Sequence, residues 1–92
     1  MLEHVLGVDI VNGKFNTALL INDKLKRKIF ANNQEDLEAL LGWLRAQGID
    51  QTHVFLEASG AHGDELAAFM HDAGHKVSIV TAAGRINGFA PG

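Results

Sequence analysis

The chain has no cysteine, which excludes disulfide staples and thiolate metal sites alike. It has no positively charged leader followed by an apolar stretch. Nor has it the run of about 18 apolar residues that a membrane-spanning helix needs. A cytoplasmic domain is therefore the expectation. An excess of positive charge is missing too. The net charge is −3, which argues against a surface that grips nucleic acid throughout. An acidic, metal-dependent site acting on phosphate remains compatible with it. The five histidines, His4, His53, His62, His71 and His75, show no His-Glu-x-x-His spacing. No Gly-x-x-x-x-Gly-Lys loop is there to cradle a phosphate, and no Gly-x-Ser-x-Gly surrounds Ser59 to make it a nucleophile.

What is present is one small domain of 92 residues. Hydrophobic residues make up 47% and charged residues 21%, ordinary values for a globular protein. Residues 4–10 are almost continuously apolar, which suits a central strand buried on both faces. Asn12-Gly13 is a strong hairpin signal. Residues 14–22 then alternate, with Phe15, Thr17, Leu19 and Ile21 on one side. Asn22-Asp23 makes a second turn, and residues 25–31 alternate again: Leu25, Arg27 and Ile29 against Lys26, Lys28 and Phe30. The period changes at Asn32. Asn32 or Asn33 caps a helix whose first turn carries Glu35 and Asp36. Leu37, Leu40, Leu41 and Leu44 form its apolar stripe, and Gly48 stops it. A strand at 53–57, a helix from about 62 to 73 with Leu66, Phe69, Met70 and Ala73 inward, and a strand at 76–80 follow. Residues 81–92 read as a tail, with a weak helical pattern from Arg85 to Ala90. The domain itself is expected at 1–80.

The order β-β-β-α-β-α-β is an α/β arrangement. Right-handed crossovers deliver the fourth and fifth strands parallel to the first. The meander occupies the other side, so the mixed sheet is expected in the order 3-2-1-4-5. Asp9 then ends the first strand and Glu57 ends its parallel neighbour, at the carboxyl edge where open α/β sheets hold ligands. Two carboxylates a few ångströms apart share a proton or bind a cation. Mg²⁺, or Mn²⁺, suits such a pair because it takes one or two carboxylates and completes its shell with water and phosphate. The plainer alternative makes Asp9 a turn residue and Glu57 a helix cap. His62, Asp64 and Glu65 lie close in sequence to Glu57, but solvation and dipole complementation account for them. Trp43 falls beside the leucine stripe and reads as core. The run Lys24-Leu25-Lys26-Arg27-Lys28 is either a lysine-protected edge strand or a contact to a phosphate backbone.

Leu6-Gly7-Val8-Asp9-Ile10 with Lys14-Phe15 and Ala18-Leu19 resembles the start of the DEDD-type insertion-sequence transposases, the family that includes the Piv DNA invertase. Leu56-Glu57-Ala58-Ser59-Gly60, Gly63-Asp64, Leu66 and Ala73-Gly74-His75-Lys76-Val77 continue the resemblance in order and spacing. It implies a RuvC-like domain within the ribonuclease H-like fold. Asp9 and Glu57 stand as the family's first two acidic residues, catalytic and metal-binding. DNA would be the substrate, with Lys14, Lys26 and Lys28 as candidate DNA contacts. The resemblance further implies a homo-oligomer and, in some members, a guide RNA. The chain departs from the family at Asn12, Asn16, Ser59, His62 and Thr81-Ala82, positions that bear on substrate contacts more than on the metal pair. The family's remaining two acidic residues and a serine-bearing domain lie further downstream. The expectation is therefore a fragment or truncated gene product, inactive alone. Two rivals differ in class: a lobe of an actin-like ATPase or sugar kinase, in which Asp9 and Gly13 would serve Mg²⁺ and nucleotide, and a non-catalytic interaction domain.

Overall fold

Asn12 and Gly13 adopt φ of 52° and 74° in the computed structural model, and Asn22 and Asp23 adopt 48° and 68°. Positive φ at both central residues is what a tight two-residue hairpin demands, because it matches the right-handed twist of the flanking strands. These two turns set the register of β1 (His4–Val11), β2 (Lys14–Ile21) and β3 (Lys24–Ala31). The structure describes residues 3–57, 63–81 and 84–89.

The first helix, α1 (Gln34–Ala46), starts where Asn33 accepts a hydrogen bond from the Asp36 amide at 2.7 Å. Asp36 in turn accepts from the Ala31 amide at 2.6 Å, which ties the helix start to the end of β3. Of the two candidate caps, Asn33 is the one used. Gly48 follows the helix at φ 81°, a left-handed conformation that glycine adopts without a steric penalty. Leu37, Leu40 and Leu44 are buried and Leu41 packs against them, as the stripe demands. Helix α2 (Asp64–Asp72) buries Leu66, Ala67 and Met70. Trp43 packs at the core margin, tilted on Phe30 with ring centroids 5.8 Å apart.

Strands β4 (His53–Glu57) and β5 (Lys76–Val80) join parallel to β1 and to each other, and the sheet runs β3-β2-β1-β4-β5-β6. The fold is thus mixed α/β, with six strands and two helices. The sixth strand, β6 (Ile86–Gly88), pairs antiparallel with β5, where the sequence suggested weak helix. Without it β5 would present an open edge of unpaired amides and carbonyls. The pairing satisfies that edge, and Phe89 packs against the core beyond it.

Both crossovers step the same way across the sheet, and a right-handed connection then lays both helices on one face. Residues of both helices join Leu6, Val8, Phe15, Leu19, Val54, Leu56 and Val77 in a single core. The expectation that β1 is buried on both faces is therefore corrected. Leu6 and Val8 are buried, whereas Val5 and Gly7 are half-buried and Asp9 and Val11 are exposed. The strand's apolar run conceals an ordinary alternation, because its odd-numbered residues lie on the face that no helix covers.

Candidate functional site

The parallel register pairs Asp9 with Glu57. Adjacent strands lie about 4.8 Å apart, and register partners project from the same face. Both side chains therefore emerge side by side at the carboxyl ends of β1 and β4, on the open face. Both are exposed, so burial does not explain them. Their solvation is a consequence of the one-sided helix layer, which leaves this face of β1 and β4 uncovered. Asn16 is the register partner of Asp9 on its other side, and Val80 that of Glu57.

Below this pair lies a groove of about 400 Å³. Gly7 and Ala18, register partners on β1 and β2, form its floor. Phe55 on β4 borders it on one side and Arg27 on β3 on the other, since the same row runs Phe55–Gly7–Ala18–Arg27. Asp9, Glu57 and Asn16 close its upper end. The groove exists because Gly7 has no side chain. A Cβ built there would meet nothing nearer than the Ala18 carbonyl oxygen at 3.8 Å, so the missing group leaves space and not a tight contact.

The basic residues divide between the faces. Lys26 and Lys28 pair with Leu19 and Thr17 of the covered face. Lys26 donates to the Gln47 side chain, and the Lys28 ammonium sits 5.5 Å from the centre of the Phe30 ring. Neither lies on the carboxylate face. Lys14 does, exposed beside Val11 beyond Asp9. Arg27, which the sequence reading placed in the basic run but not among the named DNA contacts, is the cation that borders the groove. Its signal was available: alternation sets Arg27 with Leu25 and Ile29 and against the lysines.

The described histidines gather at the opposite end of the sheet. His75 is buried and its Nδ1 accepts a hydrogen bond from the Thr52 amide at 3.0 Å. Burial lowers its pKa below the usual value, and the nearby Arg45 and His4 charges push the same way. The His4 ring lies 2.7 Å from the Thr52 hydroxyl. His53 contacts the Ser78 hydroxyl at 2.7 Å and stacks on Phe55 with centroids 4.0 Å apart. Burial, then the charge of Lys76, lowers the His53 pKa too. Asp64 and Glu65 occupy the exposed first turn of α2. Ser59 and His62 lie outside the described residues. Among the described residues no three His, Cys, Asp or Glu side chains form a metal-holding group, so the carboxylates stand as a pair. No described helix is long and apolar enough to cross a membrane.

An open α/β sheet, helices on one face and paired carboxylates at the carboxyl ends of adjacent parallel strands define a class of domain that works from its sheet edge. The family model described as Transposase, of the IS110-type DEDD group, matches residues 6–87, and the chain belongs to that family. It is 30% identical over 82 residues to the pilin gene-inverting protein of Moraxella lacunata and 29% identical to that of Moraxella bovis. Each match covers 87% of this chain and 26% of the relative, so the chain spans about a quarter of their length. Among solved structures it is similar to YeaZ from Pseudomonas aeruginosa, with TM-score 0.55 and 15% identity over 86% of this chain and 45% of that one. At that identity the likeness speaks for the fold alone.

Proposed function

We propose that this chain is the N-terminal, RuvC-like part of a DNA transposase or site-specific recombinase, of ribonuclease H-like fold, and that Asp9 and Glu57 contribute half of its divalent-metal site. The observation that carries this reading is the Asp9–Glu57 register pair. Two solvated oxygen donors on adjacent strands are hard ligands at a spacing one ion can bridge, and they suit Mg²⁺ or Mn²⁺. A pair leaves most of the coordination shell open, so the remaining carboxylates come from elsewhere in the complete protein. When bound, the metal supplies Lewis acidity toward a phosphodiester and a template for in-line displacement. The chain's own part is to hold the two carboxylates rigidly on paired strands, which loops would not do as well. Family membership supports the reading, as does the kinship to proteins named for inverting a gene.

The test uses Mn²⁺ as a paramagnetic probe. Amide resonances of Gly7, Asn16 and Val80, which flank the pair, are expected to broaden on titration, and Asp9→Asn and Glu57→Gln each to remove the effect. In the full-length protein Asp9→Ala is expected to abolish DNA strand cleavage. Broadening that survives both substitutions, or cleavage that survives Asp9→Ala, sinks the proposal.

A further inference from the structure

Arg27 has no place in the family resemblance, yet of the cations on β3 it alone borders the groove beneath Asp9 and Glu57. Resting on the proposed function, we infer that Arg27 binds the phosphate next to the one at the carboxylate pair, with the intervening DNA strand lying over Gly7 and Ala18.

Three observations converge. The first is direction. Arg27 pairs with Ala18, and Ala18 with Gly7, so register sets the guanidinium on the carboxylate face. Ideal strand spacings separate the Asp9 and Arg27 Cα atoms by roughly 12 Å along a diagonal. An extended arginine side chain shortens that gap at its tip. The second is the floor. The row between Phe55 and Arg27 holds only Gly7 and Ala18, and the space above Gly7 is open. Nothing bulky separates the cation from the pair, and the volume of about 400 Å³ runs continuously between them. The third is charge. Arg27 is exposed and makes no ion pair among the described residues, so its charge is not committed internally. A guanidinium fork offers paired N–H donors to phosphate oxygens and keeps its charge at any working pH.

The groove is also polarised along its length. Its carboxylate end repels phosphate unless a cation is present, and its Arg27 end attracts phosphate without one. A strand entering at Arg27 is therefore held before the carboxylate end is complete, where Asp9 and Glu57 would hold the ion that neutralises its second phosphate. Phe55, its ring braced by stacking on His53, gives the far wall an apolar surface for the sugar or base between the two phosphates. Lys26 and Lys28 cannot share this role, because they lie on the helix-covered face.

The experiment measures binding of a fluorescein-labelled single-stranded DNA oligonucleotide to the 92-residue chain by anisotropy, with Mn²⁺, across a salt series. Arg27→Gln is expected to weaken binding and to flatten the salt dependence by about 0.7 in log–log slope, the value of one phosphate contact on a single strand. Lys26→Gln is expected to leave the slope unchanged. Gly7→Val fills the groove with a residue that strands favour, and it is expected to abolish binding while the thermal melt is retained. If Arg27→Gln binds as the wild type does, or if Lys26→Gln lowers the slope equally, the Arg27 contact is overturned and the metal pair stands. If the wild-type chain binds no DNA with Mn²⁺, the Arg27 contact is overturned, while the metal pair is judged separately by the Mn²⁺ broadening at Gly7, Asn16 and Val80.

Discussion

The two faces of this sheet are made from the same strands and obey opposite rules. On the covered face Leu6, Val8, Leu19, Val54 and Leu56 meet the leucines of α1 and the Leu66–Met70 stripe of α2, and water is excluded. On the open face the same strands carry Gly7, Asp9, Ala18, Arg27, Phe55 and Glu57 around a groove, and leave Leu20, Leu25 and Ile29 in solvent. The first face is chosen for volume and the second for chemistry and shape. Residues one position apart in the chain therefore differ completely in what a substitution does to the protein.

The sharpest way to break that contrast lies on the covered face. Leu40 is fully buried, and Leu40→Ala is expected to cost about 2–5 kcal/mol in urea denaturation, a large share of the stability of a domain this small. A loss below about 1 kcal/mol would mean that the helix layer is loosely packed. A slope rather than a step tests the bottom of the sheet. The folded-state pKa of His75 lies below its ordinary 6.5, so above that value the ring is neutral in both states and costs nothing. As pH falls through it the unfolded chain takes the proton first, and stability declines toward the lower, folded pKa. His53 acts in the same direction. The urea midpoint is expected to drop from about pH 7 to about pH 5, and less steeply in His75→Asn. The smallest effects belong to the open face. Ile29→Ser is expected to stay within about 0.5 kcal/mol. Asp9→Asn in EDTA is expected to melt at or slightly above the wild-type temperature, because it relieves the repulsion with Glu57. A loss of about 2 kcal/mol in either would place that residue in packing and erase the distinction.

Much of this was legible from residue order. The leucine spacing of α1 admits only a helix, Asn12-Gly13 and Asn22-Asp23 admit only tight turns, and the right-handed crossover puts Glu57 beside Asp9 without further information. The missing parts share one cause, which is that alternation gives the two sides of a strand but not which side the helices will cover. In β1 both sides are apolar from Val5 to Val8, so exposure of Asp9 could not be read. In Lys24-Leu25-Lys26-Arg27-Lys28 alternation already sets Arg27 apart from the lysines, and pairing with β2 shows that its side is the open one. The strand β6 escaped because Ile86-Asn87-Gly88 has little strand character of its own. It forms to complete the edge of β5, a tertiary cause that no local pattern carries.

The Asp9–Glu57 pairing also has a meaning in the language of genes. Side chains in a strand alternate with a period of two, so a slip of one residue moves a whole strand to the other face. Loss or gain of a single codon within His53–Glu57 would keep the strand but turn Glu57 toward the helices. Two codons would return it to the correct face and one row out of line with Asp9. The five codons of β4 are therefore fixed in parity as well as in kind.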